Sequence, residues 1–154
     1  MCSSDLRFFY EKGSYWPSEF ETISDPVTIK WLEERLCMLT LWPRPDGYNV
    51  LADTNINTEN VRKLSEAADM AWEGLKSRDF EKFSEGFLGS FHSQIRMFPR
   101  MMNPDIERII SQYKGISRAW KLSGAGGGGY LLMVSEKEIP NTFRLKVRVK
   151  ELGL

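Results

Sequence analysis

The chain has 154 residues, 42% of them hydrophobic, which is enough for one domain with a sizeable core. Its 21 basic and 21 acidic residues balance, so the charge favours neither nucleic acid nor an anionic membrane as a partner. Two cysteines (Cys2 and Cys37) and a single histidine provide neither a disulfide framework nor a zinc site. No signal peptide or membrane-length apolar run is visible, so we expect a cytoplasmic protein.

The first six residues, M-C-S-S-D-L, resemble the translation of a sequencing-adapter remnant. We therefore exclude residues 1–6 from the fold prediction and treat residues 7–154 as the domain. This interpretation implies a shortened reading frame that has lost its natural N-terminal portion.

Two strands and a helix are predicted next. Residues 8–11, a turn at residues 12–14 and residues 15–23 read as a strand pair, in which Pro17 indicates an edge strand. Ser24 or Asp25 can cap the helix that follows. Its apolar residues repeat on one face: Ile29, Leu32 and Leu36.

A short central strand is predicted at residues 37–42, with Cys37 as a small buried hydrophobe. The loop P-R-P-D-G-Y follows it. Arg44 could hold a phosphate or carboxylate, Asp46 could accept hydrogen bonds from sugar hydroxyls, and Tyr48 could stack on a ring. An ordinary surface turn is the alternative interpretation.

Three helices come next. One begins at Asn57 or Thr58, and another runs from after Asp79 to about residue 98. The first carries the stripe Val61, Leu64, Ala68, Ala71, Trp72 and Leu75, and the second carries Phe80, Phe83, Phe87, Phe91, Ile95 and Phe98. This spacing predicts two antiparallel helices packed together. The third helix begins at residues 103–105 and ends by Gly115.

His92 lies beside the phenylalanine stripe and is the only histidine of the chain. A catalytic base is one interpretation of this residue, but no carboxylate or nucleophile stands at a helical spacing that would orient it. We therefore predict a capping or solvent-facing side chain. Gln94 and Arg96, near the end of the same helix, remain candidates for reaching a substrate.

A glycine-rich segment, K-L-S-G-A-G-G-G-G-Y at residues 121–130, lies between the predicted strands Ala119–Leu122 and Tyr130–Val134. Successive N–H groups in such a turn can form an anion-binding concavity. A dinucleotide fingerprint needs a helix afterwards, and a Walker A loop needs Gly-Lys-Ser/Thr at its end, so neither fits. A turn that only lets two strands pack closely is the remaining alternative.

The segment L-S-G-A-G-G-G-G-Y resembles the third, C-terminal motif of the GHMP kinases (galactokinase, homoserine kinase, mevalonate kinase, phosphomevalonate kinase and relatives), nearest to their sugar and heptose-phosphate kinases. The resemblance implies a ferredoxin-like C-terminal half that uses ATP and Mg²⁺ to phosphorylate a hydroxyl of a sugar or sugar phosphate. It also implies a binding site for ATP and substrate at Lys121, Ser123, Gly124, Ala125, Gly126, Gly127, Gly128 and Gly129. The family's P-x-x-x-G-L-G-S-S loop, magnesium ligand and catalytic aspartate are not identifiable here, so no catalytic residue is assigned and the chain alone is expected to be inactive.

Residues 143–149 alternate and predict a final strand with Arg144, Lys146, Arg148 and Lys150 on one side. That side is a nucleic-acid stripe or a solvated face, and zero net charge favours the second. The element order predicts an α+β fold, with helices on one face of a mostly antiparallel sheet. A non-catalytic module that binds a ligand or a partner through the glycine-rich segment is the alternative function, and a homodimer stays open.

Overall fold

The structure, a computed structural model, describes residues 6–147. Its strands are β1 (Leu6–Phe9), β2 (Glu19–Thr22), β3 (Leu36–Thr40), β4 (Ala119–Leu122), β5 (Tyr130–Val134) and β6 (Phe143–Arg144). Its helices are α1 (Pro26–Glu33), α2 (Thr58–Ser77), α3 (Phe80–Met97) and α4 (Pro104–Tyr113), with a 3-10 helix at Pro99–Met101. The predicted α+β class is confirmed.

The strands form two separate antiparallel sheets in the described part of the chain. Strands β1 and β2 pair with each other, and the larger sheet has the order β4-β5-β3-β6. Strand β3 is therefore central, as predicted, because β5 lies on one side of it and β6 on the other. The short strand β6 pairs antiparallel with β3, which settles the pairing of residues 143 and 144.

Side chains of the larger sheet alternate between two hydrophobic clusters. The first cluster joins alternate residues of β3, β4 and β5 to Phe91, Met101, Ile106 and Ile110. The second joins the intervening strand residues to α1, α2 and the N-terminal half of α3, including Leu32, Trp72, Leu75, Phe83 and Phe87. Period-two alternation in the strands thus places apolar side chains in both clusters, and helices contribute to each of them.

Helices α2 and α3 are antiparallel neighbours, as the two apolar stripes predict. Their backbones approach so closely that a Cβ atom added at Gly86 would lie 2.3 Å from the Ala71 nitrogen. Val61, which the sequence placed on the buried stripe, is instead exposed, because α3 covers the C-terminal half of α2 more fully. The predicted caps Asp25, Asn57 and Asn103 all accept backbone N–H groups at their helix starts.

The strand pair at the start of the chain has shorter strands and a longer connection than predicted. Strand β1 begins at Leu6 and ends at Phe9, and β2 covers only Glu19–Thr22 of the predicted residues 15–23. Pro17 lies in the connection, where its fixed φ and missing N–H disturb no ladder. Leu6, the last residue of the excluded leader, pairs with Thr22.

The final strand is shorter than the alternating pattern predicts. Among the described residues of this segment, 143–147, only Phe143 and Arg144 are in strand conformation, paired with Met38 and Cys37. The Leu145 N–H still donates to the Leu36 carbonyl over 3.2 Å, where β3 itself begins. Leu145 and Val147 then pack against the second cluster, and Lys146 donates to Glu33. Arg144 and Lys146 are exposed, as predicted for a solvated face, whereas Arg148 and Lys150 lie outside the described residues.

Candidate functional site

The glycine-rich segment forms a loop between β4 and β5 whose glycines all have positive φ. The angles are 71° at Gly124, 70° at Gly126, 69° at Gly127, 156° at Gly128 and 82° at Gly129. This region of φ is strained for side chains with a Cβ atom. The run of glycines in the sequence therefore corresponds to a backbone path that other residues would not follow without cost.

Two N–H groups of the loop are used to attach it to the rest of the fold. Gly127 donates to the carbonyl oxygen of Met101 over 2.9 Å, and Gly129 donates to the carbonyl oxygen of Trp42 over 2.9 Å. The Leu41 N–H in turn donates to the Gly129 carbonyl over 2.8 Å. The two bonds of Gly129 extend the β3–β5 pairing into the loop, and the Gly127 bond attaches the loop to the 3-10 helix.

Neighbouring groups also fill the space around the loop backbone. A Cβ atom at Gly126 would lie 2.7 Å from the Met101 Cβ and 2.8 Å from its carbonyl oxygen. Gly126, Gly127 and Gly128 are themselves buried, whereas Gly124 is exposed and Ser123 and Ala125 are half-buried. Residues 123–125, with the exposed Gly124 at their centre, are therefore the most accessible part of the loop.

Arg44, a predicted substrate-binding residue, lies directly against the glycine-rich loop. Its Nε donates to the Gly126 carbonyl over 2.8 Å, and its Nη2 is 3.5 Å from the Ser123 carbonyl oxygen. The position of a Cβ on Gly124 would be 3.5 Å from the same Nη2. The Arg44 side chain remains exposed, so it brings a positive charge to the accessible edge of the loop.

Tyr48, a second predicted residue, closes the other side of the loop. Its hydroxyl lies 2.9 Å from the carbonyl oxygens of both Ala125 and Arg100, and it can donate to one of them at a time. Burial raises the pKa of Tyr48, and the charges of Arg44 and Arg100 oppose that shift. The phenol therefore stays protonated at neutral pH and acts as a donor.

The other predicted site residues are placed differently. Asp46 is exposed in the turn before Tyr48 and makes no hydrogen bond or ion pair within the described residues. Lys121 lies on β4, and its side chain is buried, with Nζ donating to the Ser90 hydroxyl of α3 over 2.8 Å. The structure thus directs the Lys121 amine toward α3, and its contact with a phosphate stays a prediction.

The histidine and the described cysteine lie outside the two loops, on α3 and β3. The His92 side chain is exposed, as predicted, and partial desolvation together with the charges of Arg96 and Lys114 lowers its pKa. Cys37 is fully buried beside β5, and burial raises the pKa of its thiol, in agreement with its predicted role as a small hydrophobe.

Sequence reasoning did not connect Met101 and Trp42 with the site. Both residues contact the loop through backbone carbonyl oxygens, and side-chain identity carries no signal for a backbone contact. It also missed the ion pair between Arg100 and Asp53, in which Nη2 and Oδ2 are 2.8 Å apart. This ion pair involves the same Arg100 whose backbone carbonyl oxygen lies 2.9 Å from the Tyr48 hydroxyl.

Backbone N–H groups of the glycine-rich loop that make no hydrogen bond within the described residues indicate what the site can bind. Within residues 6–147, no hydrogen bond uses the N–H groups of Gly124 or Ala125. The guanidinium of Arg44 lies beside this segment, bonded to the Gly126 carbonyl and 3.5 Å from the Ser123 carbonyl oxygen. Backbone N–H groups next to a fixed cation suit a phosphate or carboxylate. The chemistry of this edge of the loop therefore suits an anion.

No group of three or more His, Cys, Asp or Glu side chains among the described residues is arranged to hold a metal ion. Over the same part of the chain, every helix is too short or too polar to cross a membrane.

No family model and no curated protein matches this chain. Among solved structures, it is similar to a Campylobacter jejuni protein provisionally described as a sugar kinase, with 20% identity, a TM-score of 0.47, and 77% of this chain and 31% of that chain covered. It is also similar to a protein called MDDEF, solved in complex with MVAPP, with 16% identity, a TM-score of 0.48, and 79% and 42% of the two chains covered. The chain thus spans less than half the length of either structure.

Proposed function

We propose that this chain is the C-terminal part of an ATP-dependent small-molecule kinase of the GHMP type, which phosphorylates a hydroxyl of a sugar or sugar phosphate. The observation that carries the proposal is the glycine-rich loop, whose accessible edge at Gly124 and Ala125 lies beside the exposed guanidinium of Arg44. The sequence of the same loop resembles the third motif of that family. Charge and motif therefore point to a phosphate-bearing ligand at one place.

Phosphoryl transfer depends mainly on positioning and on stabilising negative charge, which this edge can provide. The N–H groups of Gly124 and Ala125 would hold phosphate oxygens, and Arg44 would neutralise their charge. Asp46 and Tyr48 stand on the neighbouring loop, where the Asp46 carboxylate would accept hydrogen bonds from hydroxyls of the acceptor. Tyr48 would act through its bond to the Ala125 carbonyl, which fixes the loop.

The donor set fits the phosphates of ATP but does not fit Mg²⁺. Magnesium prefers carboxylates and waters, and residues 6–147 contain no cluster of three metal-ligating side chains. Under the proposal, the metal ligands, the main phosphate loop and the catalytic base come from a preceding segment. The chain alone is then inactive.

The proposal is tested by reading the source DNA upstream of the Arg7 codon and by assaying the protein with and without the preceding segment. We expect an in-frame P-x-x-x-G-L-G-S-S loop, turnover of ATP with sugar phosphates by the extended protein, and none by the 154-residue chain. In the extended protein, Arg44→Gln should lower kcat/KM by roughly tenfold to a hundredfold, as for the loss of one charge-assisted contact.

Arg108→Gln is the matched control, because Arg108 is an exposed arginine of α4 whose one ion pair among residues 6–147 is with Asp105. Equal losses in the two variants would contradict a role for Arg44. Turnover of ATP by the 154-residue chain, or a genuine start codon with no phosphate loop upstream, would overturn the kinase proposal.

A non-catalytic ligand-binding module is the second candidate. It is favoured by the way Trp42, Met101 and Tyr48 shape the loop entirely within this chain. Such a module should bind inorganic phosphate or a sugar phosphate unaided, whereas the half-kinase should bind ATP weakly. Titration calorimetry of the 154-residue chain with these three ligands, compared with its Arg44→Gln variant, separates the two functions.

A further inference from the structure

The two-stranded sheet of β1 and β2 has its polar side toward the protein and its apolar side toward solvent. The cross-strand partners Arg7 and Glu21 face α2, where Arg7 pairs with Asp69, and Glu21 accepts from the Trp72 indole over 3.0 Å. The next pair along the strands, Phe8 and Phe20, must point to the opposite face. In an ordinary antiparallel sheet the apolar side packs on the core and the polar side faces water, so this hairpin shows the reverse arrangement.

The outward face is strongly exposed, and the rest of the hairpin adds further exposed aromatic residues. Phe8 and Phe20 are 43% and 66% exposed. Three further aromatic residues of the same hairpin are also exposed: Tyr10 at 60%, Tyr15 at 84% and Trp16 at 74%. We call these five residues the aromatic hairpin face. Exposed aromatic side chains concentrated in one short hairpin mark it as an interaction surface.

The size of the face matches an interface between two copies. Aromatic side chains of about 200 Å² each, at these exposures, present roughly 650 Å². A standard protein interface buries about 800 Å² on each partner, so the aromatic hairpin face provides most of what one copy must contribute. A two-fold interface uses the same patch on both subunits, and such dimers are the commonest oligomers.

Charge also favours a second copy over an anionic membrane. The hairpin carries two basic residues, Arg7 and Lys12, against three acidic ones, Glu11, Glu19 and Glu21, so it lacks the basic cluster that attracts anionic lipid. The whole chain has no net charge, and two copies therefore approach without long-range repulsion.

We propose that the aromatic hairpin face is a homodimer interface, in which Phe8 and Phe20 of one copy pack against the same residues of the second copy. The glycine-rich loop contributes nothing to this face, so loss of the proposed phosphotransfer would not remove the interface. The preceding segment that the proposed function requires is the rival occupant, because β1 begins at Leu6. A dimer of the 154-residue chain that is absent from the extended protein would show that this segment covers the face, and would overturn the assignment to a second copy.

The test is sedimentation equilibrium of the 154-residue chain across a wide concentration range, with the variant Phe8→Ser/Phe20→Ser. Ile116→Ser is the matched control, since Ile116 is 42% exposed and lies in the α4–β4 connection. We expect a monomer–dimer equilibrium whose Kd rises roughly tenfold or more in the double variant, as when central aromatic anchors are removed, and does not change in the control.

A second measurement on the unaltered chain covers the case in which the double variant does not fold. Amide hydrogen exchange of residues 6–22 should slow at high protein concentration, while exchange at Ile116 should not. A monomer at every concentration with unchanged exchange would overturn the proposal. So would a dimer that survives the double substitution, or binding to anionic vesicles without self-association.

Discussion

Arg44 and Gly126 are 82 positions apart in the sequence, yet the Arg44 Nε donates to the Gly126 carbonyl oxygen over 2.8 Å. This bond joins the loop after β3 to the loop between β4 and β5. Tyr48 makes a second connection between the same two loops through the Ala125 carbonyl. The two candidate segments therefore form one structural unit, and a change in either should be detectable in the other.

Tyr48→Phe should lower the free energy of unfolding by about 1 kcal/mol, because the carbonyl oxygens of Ala125 and Arg100 lose their shared hydroxyl donor. Urea unfolding at neutral pH measures the change. Tyr130→Phe is the control, since Tyr130 is exposed and its hydroxyl makes no hydrogen bond within the described residues. Equal effects of the two substitutions would show that the Tyr48 hydroxyl does not hold the loop.

Gly126→Ala should destabilise the protein more than Gly13→Ala does. Both glycines have positive φ, which costs an alanine about 1 kcal/mol. Only Gly126 also lacks space, because its Cβ would lie 2.7 to 2.8 Å from Met101 atoms, whereas nothing lies within 4 Å at Gly13. This crowding should add about 1 to 3 kcal/mol, measured as the difference between the two variants in urea unfolding. A difference near zero would indicate that the loop can move away from Met101.

Gly86→Ala should destabilise the protein by about 2 kcal/mol or more, although alanine is the better helix former by about 1 kcal/mol. The added methyl group would meet the backbone of α2 at Ala71, and backbone cannot rotate away. Gly89→Ala is the matched control on the same helix, where the nearest atom is the Ala67 Cβ at 3.2 Å. Thermal unfolding of the two variants checks the prediction, which fails if Gly86→Ala is as stable as the control.

Removal of the Glu33 carboxylate should change how stability depends on pH. Glu33 accepts from Lys146 Nζ over 2.7 Å and from the Val147 N–H over 2.8 Å, and these bonds lower its pKa below the ordinary 4.5. As the pH falls, the Glu33 carboxylate therefore becomes protonated at a higher pH in the unfolded chain than in the folded protein. The stabilisation is complete above pH 4.5 and is lost as the pH falls through the lowered pKa.

Urea unfolding at several pH values should show this loss for the unaltered protein and a weaker dependence for Glu33→Gln. Glu34→Gln, a change in the neighbouring exposed carboxylate, should keep the original dependence. Parallel pH curves for Glu33→Gln and the unaltered protein would contradict the prediction.

Local signals in the sequence predicted the helices well. Asp25, Asn57 and Asn103 are capping residues at the helix starts, and the phenylalanine stripe of α3 identified its buried face. Each of these signals depends on residues within a few turns of one another. They needed no knowledge of the tertiary structure.

The strand ends and the assembly of the site could not be predicted in the same way. Within the described residues the final strand ends at Arg144, close to where its partner β3 begins at Leu36, and alternation in residues 143–149 carries no information about where a partner strand begins. Arg44 and Tyr48 were predicted as binding residues from their side chains. Their contact with the glycine-rich loop depends on β3 and β5 lying side by side, which no local pattern encodes.

The central position of β3 has a consequence for folding during synthesis. The Cys37 thiol contacts the Met133 carbonyl across 96 positions, so β3 must wait for its partner until most of the chain has left the ribosome. The α2–α3 hairpin can form earlier, because its contacts are local. In the interval, the apolar segment L-C-M-L-T has both edges unpaired, which is the condition for aggregation. Nascent chains that stop before Tyr130 should accordingly require a chaperone to remain dispersed.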